Sequence, residues 1–245
     1  MTDCSHVPAP EKLDASHYSL TKIATKDQPT SLVELDYWLT QGKAQSRWDG
    51  KLYVASTIEW NSVTNEFRQS GCSPNYQCGI WTLACCKHDM RSGEQFQGNA
   101  IDLAVPTYVF TLSRKNTEIG QSLVSVARIT AGFKTMNEYA DFLRVQRPKV
   151  RSSRFTRTHI DDGLLGWRFG DCHANDNGDV GSPTCGHVHS QSDWQRDCNG
   201  KHMILVSTDY LLWERPAFVA RNTEHQSRFG RNMDGAVLRE FLQPI

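Results

Sequence analysis

The stretch "VPTYVFTLSRKNTEIGQSLVSVARITAGF", residues 105–133, decides the fold. It contains two runs rich in branched and aromatic residues, 105–114 and 122–133, and such residues favour β-strands. The polar segment between the runs, residues 115–121, is short enough to join neighbouring strands in antiparallel order. The sequence therefore predicts an antiparallel strand pair in this region.

Further strands and short helices lie on both sides of this pair. Residues 51–60 read as the first strand of the main domain, and 202–213 as an apolar core strand. Residues 135–145, capped by Thr135, and residues 234–245 read as amphipathic helices. Strands outnumber helices and do not alternate regularly with them, which argues against a doubly wound parallel sheet. We expect an α+β fold, with a mostly antiparallel sheet or a partly closed β-barrel and a few short helices.

The first 48 residues differ from the rest, because they are mostly polar and contain several prolines. One helical segment stands out within them, "SLVELDYWLTQG" at 31–42. Ser31 is a suitable N-cap, Glu34 follows three residues later, and Gly42 is a stop signal. The sequence predicts an N-terminal extension, 1–48, with one short helix, followed by a main domain over 49–245.

Composition limits the function classes. The 27 basic residues equal the 27 acidic residues in number, so the chain is not a polycation, and phosphate binding would need a local basic patch. The sequence shows neither a signal peptide nor an apolar run of membrane-spanning length. We expect a cytoplasmic protein that does not contact membranes, with eight cysteines that are thiols rather than disulfides. The oligomeric state stays open.

The segment "GIWTLACCKHDMR", residues 79–91, is the first candidate for chemistry. A thiol reacts as the thiolate, which neighbouring cations such as Lys87 and His88 stabilise. On an extended chain Cys85 would share the buried face with Trp81, and Cys86 would point the opposite way. The alternative is that both cysteines are small buried residues, as free cysteines often are.

The glycine-rich segment 169–202 is the second candidate. If "CGHVH" is extended, Cys185, His187 and His189 point to one face, as a three-ligand metal site requires. The complete candidate ligand set is Cys172, His173, Cys185, His187 and His189, with Asp171 beside it. No cofactor is assigned, and zinc is the ion that such a set would hold. The alternative is a solvated surface loop whose histidines bind nothing.

Two further features are not required for a stable fold. The run 144–157 contains six basic residues and no acidic one: Arg144, Arg147, Lys149, Arg151, Arg154 and Arg157. Such a run can follow a phosphate backbone, although many charge runs are only solvated faces.

Asp209 interrupts an apolar strand, where an uncompensated carboxylate is costly. We expect Asp209 at a strand end or in an ion pair, and it is a candidate pocket residue.

These motifs, in this order, resemble the second type of nucleotide-modification-associated domain of bacteria and their phages. The resemblance covers about residues 50–242. Its sharpest part is "TLACCK" at 82–87, preceded by Pro74 and Asn75, and "LVSTDYLLW" at 205–213 supports it. The chain departs from the family pattern at Trp81, where a second cysteine is expected, at His88, where proline is usual, and at 106–107, where Pro-Thr replaces Gly-Asp.

The resemblance implies a protein that acts on, or recognises, modified nucleotides or bases in DNA. The order of strands and helix is also similar, at the level of the fold alone, to the small barrels of the pseudouridine-synthase-associated, EVE and YTH type, which hold a modified or flipped base. The base pocket implied by these resemblances consists of Pro74, Asn75, Trp81, Tyr108, Trp167, Tyr210 and Trp213. The basic run 144–157 would supply the rim that contacts the DNA backbone.

Three functions remain open at this point. In a base-modifying enzyme, Cys86 would be nucleophile or metal ligand, and His88, His187 or His189 would be the acid–base group, oriented by Asp171 or Asp209. In a non-catalytic reader, the aromatic and arginine residues would bind the modified base. In a metal-stabilised structural or interaction domain, the Cys/His set of 172–189 would hold the ion.

Overall fold

A computed structural model describes residues 18–19, 28–41, 48, 50–55, 57–69, 74–76, 79–84, 91, 107–116, 119–146, 202–221 and 235–245. The strands within these ranges are β1 (Tyr18–Ser19), β2 (Gly50–Val54), β3 (Ile58–Asn61), β4 (Glu66–Gln69), β5 (Trp81–Leu83), β6 (Tyr108–Leu112), β7 (Gln121–Arg128), β8 (Ala131–Phe133), β9 (Ile204–Ser207), β10 (Asp209–Leu212), β11 (Phe218–Ala220) and β12 (Leu242–Pro244). The helices are α1 (Leu32–Thr40), α2 (Met136–Gln146) and α3 (Gly235–Phe241).

The α+β fold class is confirmed, with mostly antiparallel strand pairing. Among the described strands, β2 and β6 pair in parallel, and the other registered pairs are antiparallel. The described strands form open sheets rather than a closed barrel. The mostly antiparallel sheet is therefore the alternative that holds.

The chain divides into two compact units, each built from three separate segments. Unit 1 holds residues 1–18, 70–99 and 131–206, and unit 2 holds 19–69, 100–130 and 207–245. The boundary predicted at residue 48 stays a prediction. Helix α1, which precedes that boundary, is part of unit 2.

Strand β7 organises the sheet of unit 2. Along one edge it pairs with β6, so the predicted antiparallel pair is confirmed, with Tyr108 opposite Arg128. Along the other edge, β10 pairs with the C-terminal half of β7 and β11 with its N-terminal end. Seven of the eight β7 residues are buried, which explains why its sequence does not alternate strictly between apolar and polar residues. Beyond these strands, β2 extends the sheet from β6 and β12 extends it from β11.

Helix α1 forms as its sequence predicts. The Ser31 hydroxyl accepts a hydrogen bond from the Glu34 amide at 3.2 Å, and the Glu34 carboxylate accepts one from the Ser31 amide at 3.1 Å. This capping box satisfies amides that have no partner within the helix. Leu35 and Leu39, one turn apart, are fully buried and fix the inner face of the helix.

In unit 1, helix α2 packs beside the three-stranded sheet β5-β9-β8. Thr135 caps the helix, as predicted. Its hydroxyl accepts a hydrogen bond from the Glu138 amide at 3.2 Å. Tyr139 and Leu143 are fully buried, as the helical spacing predicts, and Phe142 packs against the same cluster. The cluster joins the helix to strand residues that include Ile204 and Val206.

Three predicted strands are wrong in length, since each is broken in two. Residues 51–60 form β2 and the start of β3, 122–133 form β7 and β8, and 202–213 contain β9 and β10. At the third break the Ser207 hydroxyl accepts a hydrogen bond from the Asp209 amide at 3.0 Å and donates one to the Asp209 carbonyl at 2.7 Å. Such local side-chain bonds compete with a continuous strand ladder. The predicted C-terminal helix is likewise too long, because residues 242–244 form β12.

Candidate functional site

A row of polar and aromatic side chains crosses the sheet of unit 2. Tyr108 on β6, Arg128 on β7 and Asp209 on β10 are successive cross-strand partners. Strands β6 and β10 begin at this row and β7 ends there, so the row lies at one end of the sheet. Cross-strand partners are the closest side-chain neighbours in a sheet. With Trp38 of helix α1, these residues form what we call the Arg128 row.

Arg128 is the centre of the row. Its guanidinium forms an ion pair with the Asp209 carboxylate and lies 5.6 Å from the centroid of the Trp38 ring. The Arg128 side chain is 24% exposed and that of Asp209 is 38% exposed. The Arg128 Nε is buried, with no hydrogen-bond partner among the described residues. The guanidinium is thus held between a ring and a carboxylate while part of the pair reaches solvent.

Tyr108 supports the row from the protein interior. It is fully buried, and its hydroxyl donates to the Leu39 carbonyl of α1 at 2.7 Å. Burial raises the pKa of Tyr108 above its ordinary value, the Asp209 carboxylate raises it further, and Arg128 opposes both. The phenol therefore stays neutral at physiological pH and serves as a hydrogen-bond donor. The Trp38 ring centroid lies 5.9 Å from that of Tyr108.

A second set of contacts fixes the helix that carries Trp38. The Asp36 carboxylate accepts from the Trp48 indole N–H at 2.8 Å and from Arg239 of α3 at 3.3 Å. The Arg239 guanidinium lies 5.8 Å from the Trp48 ring centroid, and Trp48 stacks on Phe110 with centroids 5.1 Å apart. Asp36 thus ties helix α1 to helix α3 within unit 2.

The predicted pocket residues that the structure describes lie in both units. In unit 2, Asp209 is the first residue of strand β10 and forms an ion pair, so the expectation that it lies at a strand end or in an ion pair is confirmed. Its role in a pocket stays a prediction. Tyr210 follows it and is part-exposed. Trp213 is buried, packs edge-on against Phe218, and donates to the Pro29 carbonyl at 2.9 Å.

The other described pocket residues belong to unit 1. Pro74, Asn75 and Trp81 are buried, and the backbone of Asn75 bonds that of Thr82 in both directions, at 2.9 and 2.8 Å. The Trp81 indole N–H is buried without a hydrogen-bond partner in the described part of the chain. Nearby in sequence, Arg91 is fully buried and donates to the Met203 carbonyl at 3.0 Å. Trp81, like Tyr108 and Trp213, therefore packs inside the protein and does not present an open ring face to solvent.

The remaining predicted site residues lie outside the described residues, except Arg144, which is in helix α2. They are Cys86, Lys87, His88, Arg147, Lys149, Arg151, Arg154, Arg157, Trp167, Asp171, Cys172, His173, Cys185, His187 and His189. Within the described ranges, no three His, Cys, Asp or Glu side chains lie close enough together to hold a metal ion. None of the helices in those ranges is long and apolar enough to span a membrane.

Sequence reasoning missed Trp38 and Arg128. Arg128 carried a usable signal, because it is a charged residue at the end of the apolar run "SLVSVAR", just as Asp209 interrupts its own apolar run. Opposite charges at such positions indicate a cross-strand ion pair. Trp38 had no comparable signal, since it was assigned to an extension separate from the main domain.

The arrangement is suited to holding a flat polar group. A guanidinium donates hydrogen bonds, a carboxylate accepts them, and an indole offers a face for stacking. The described members of the row contribute neither a thiol nor an imidazole. Comparison with known proteins adds no assignment, because no protein-family model, curated protein or solved structure matches the chain.

Proposed function

We propose that this protein recognises a modified base of DNA as a reader, and that the Arg128 row contacts the base. The observation that supports this most directly is the part-exposed Arg128–Asp209 pair beside the Trp38 ring. A base held outside a helix needs a stacking surface together with donors and acceptors for its edge. The Arg128 row contains all three groups: the Trp38 ring on helix α1, and the Arg128 guanidinium and the Asp209 carboxylate at one end of the sheet.

The basic run 144–157 is the second part of this proposal. A DNA strand bound by its base also needs cations along its phosphates, because most non-specific affinity comes from such contacts. The overall charge of the protein is zero, so phosphate contacts need a local cluster of cations, and this run holds six basic residues and no acidic one. Its arginines would bind phosphates of the DNA backbone.

A base-modifying enzyme is the second candidate, and the segment "TLACCK" supports it. Cys86 would act with Lys87, with His88, His187 or His189, and with Asp171 or Asp209. A Cys86→Ser variant separates the two functions. If binding of modified DNA and any product formation both persist in this variant, that thiol is not catalytic.

The reader proposal is tested by fluorescence anisotropy with single-stranded oligonucleotides that differ only in one base, ordinary or modified. The modified set covers 5-methyl, 5-hydroxymethyl and 5-formyl pyrimidines and N6-methyladenine. Asp209→Asn is expected to weaken binding of the preferred oligonucleotide about tenfold, because it removes the anionic acceptor. Arg128→Gln is expected to weaken it at least as much.

Matched controls come from a second ion pair in unit 2, Arg68 with Glu66 at 3.0 Å. Glu66→Gln and Arg68→Gln make the same chemical changes on strand β4 and are expected to leave binding unchanged. Circular dichroism and thermal melting show whether each variant is folded. Equal binding of all modified and ordinary oligonucleotides, or equal loss in the control variants, would contradict the proposal.

A further inference from the structure

We infer that the Arg128 row selects the uncharged heterocycle of its ligand, so that a free nucleoside is sufficient to bind, and that it disfavours phosphate on the Trp38 side. The inference rests on the proposed function and specifies the ligand class of the same site. It follows from the charges around Trp38, from how the cations are already paired, and from the hydrogen-bonding groups that the ion pair leaves over.

The helix that carries Trp38 is acidic. Residues 32–40 contain two carboxylates, Glu34 and Asp36, and neither lysine nor arginine. Because Asp36 is paired with Arg239, the net negative charge of the helix comes from Glu34. Hydrogen bonds from the backbone amides of Thr30 and Ser31 lower the pKa of Glu34, so this carboxylate is ionised at neutral pH. Trp38 lies in the last turn of the helix, where the terminal carbonyls add partial negative charge. A phosphate beside the Trp38 ring would therefore be repelled.

The two arginines that contact Trp38 and Asp36 in the described part of the chain are already neutralised. Arg128 pairs with Asp209, and Arg239 pairs with Asp36 at 3.3 Å. A phosphate site needs an excess of donors and positive charge, usually from an arginine that can grip two oxygens. Neither arginine brings net charge to the row, so the described surface offers no such excess.

The ion pair nevertheless leaves hydrogen-bonding groups for a neutral ligand. The contact joins one terminal nitrogen of Arg128 to one carboxylate oxygen, Oδ2, of Asp209. Both side chains are part-exposed, and a guanidinium has five N–H donors while a carboxylate has two acceptor oxygens, so the pair keeps donor and acceptor capacity on neighbouring side chains. The edge of a nucleobase presents the complementary arrangement, a carbonyl or ring nitrogen beside an N–H group. The row is therefore matched to a base edge.

The test is calorimetric titration of the full-length protein with free deoxynucleosides and with their 5′-triphosphates, for the ordinary bases and the same modified bases as in the anisotropy experiment. The nucleoside is expected to bind at least as tightly as its triphosphate in low salt. Its affinity should barely change with salt, whereas each phosphate contact in a single strand adds about 0.7 to the logarithmic salt slope. A triphosphate that binds more tightly than its nucleoside overturns the inference.

A charge variant gives a second, independent readout. Tyr37, beside Trp38 on α1, is 68% exposed, so Tyr37→Lys adds a cation to this surface with little risk to folding. It is expected to improve triphosphate binding about threefold or more in low salt and to leave nucleoside binding unchanged. The control is Val63→Lys, at a residue of unit 2 that is 93% exposed in the β3–β4 turn. An equal effect of both variants, or none from Tyr37→Lys, overturns the inference.

The outcomes also separate this inference from the proposed function. If oligonucleotides with a modified base bind but no free nucleoside does, the reader function stands and the inferred ligand class is wrong. If no ligand that contains a base binds in any form, the reader function itself fails, and the inference fails with it.

Discussion

At the scale of single residues, Tyr108 connects the Arg128 row to helix α1. Its hydroxyl is the donor to the Leu39 carbonyl, in the interior of unit 2. Tyr108→Phe keeps the ring and removes this bond, so a buried carbonyl loses its partner. The expected cost is about 1–3 kcal/mol of unfolding free energy. Chemical denaturation measures it, and an unchanged midpoint would show that the bond contributes nothing.

The same residue predicts a pH dependence. The pKa of Tyr108 is raised in the folded protein, so the folded state holds the phenol proton to higher pH than the unfolded chain does. The resulting stability is complete below the ordinary tyrosine pKa and is lost as pH rises through the folded-state value. Denaturation between neutral and alkaline pH should therefore show a steeper loss for the native protein than for Tyr108→Phe. Parallel profiles would contradict this.

Single residues also show what the sequence could and could not predict. The cost of burying a carboxylate correctly indicated that Asp209 would be paired or at a strand end, since that cost depends only on residue type and surroundings. The identity of its partner, Arg128, depends on the register between β7 and β10. Register is set by the whole sheet, with residues more than 80 positions apart in sequence brought together.

At the scale of elements, the two units carry equivalent helix starts. Ser31 caps α1 in unit 2, and Thr135 caps α2 in unit 1, each with a glutamate three residues later. Ser31→Ala and Thr135→Ala should each cost about 1 kcal/mol, because a helix amide loses its acceptor. Hydrogen exchange read by mass spectrometry should place each effect at the mutated helix first. Equal changes in both helices from either variant would contradict this expectation.

Helix α3 makes a close contact at its first residue. A Cβ on Gly235 would lie 2.5 Å from the Trp48 carbonyl oxygen and inside contact distance of the Phe110 ring. Gly235→Ala is therefore expected to destabilise the protein by about 1–3 kcal/mol, although alanine favours helices. Ala236→Ser, at the exposed next residue, is the control and should be nearly neutral. Thermal melting distinguishes them, and equal midpoints would show that the contact relaxes without cost.

Elements were predicted well where a local signal exists. Both helix caps follow from a few neighbouring residues, and the β6–β7 pair follows from two β-rich runs joined by a short connection. The ends of β7 and β9 were missed because residues that favour strands resume after each short polar interruption, at Arg128 in one run and at 207–209 in the other. Contacts between distant residues also lie at these breaks, such as the Thr208 amide donating to the Thr130 hydroxyl at 3.1 Å. A hydropathy pattern contains no information about such a bond.

At the scale of the whole molecule, the N-terminal segment supplies parts that unit 2 needs. The Leu39 carbonyl accepts from Tyr108, the Pro29 carbonyl accepts from Trp213, and Leu35 is fully buried. Deletion of residues 1–48 should therefore cost several kcal/mol, which is comparable to the whole stability of many domains. Deletion of residues 1–17 removes none of these contacts and is the matched control. Equal melting midpoints for both truncations would show that 1–48 is a dispensable extension.

The segmented construction of both units also sets the order in which they can be completed on the ribosome. The chain passes between the units five times, at 18/19, 69/70, 99/100, 130/131 and 206/207. Strand β7 is synthesised long before β10 and β11, so one of its edges has no native partner until residues 209–220 have left the exit tunnel. A strand edge that lacks its partner strands can pair with another nascent chain. Slow or interrupted translation after residue 130 should therefore promote aggregation more than the same delay near the C-terminus.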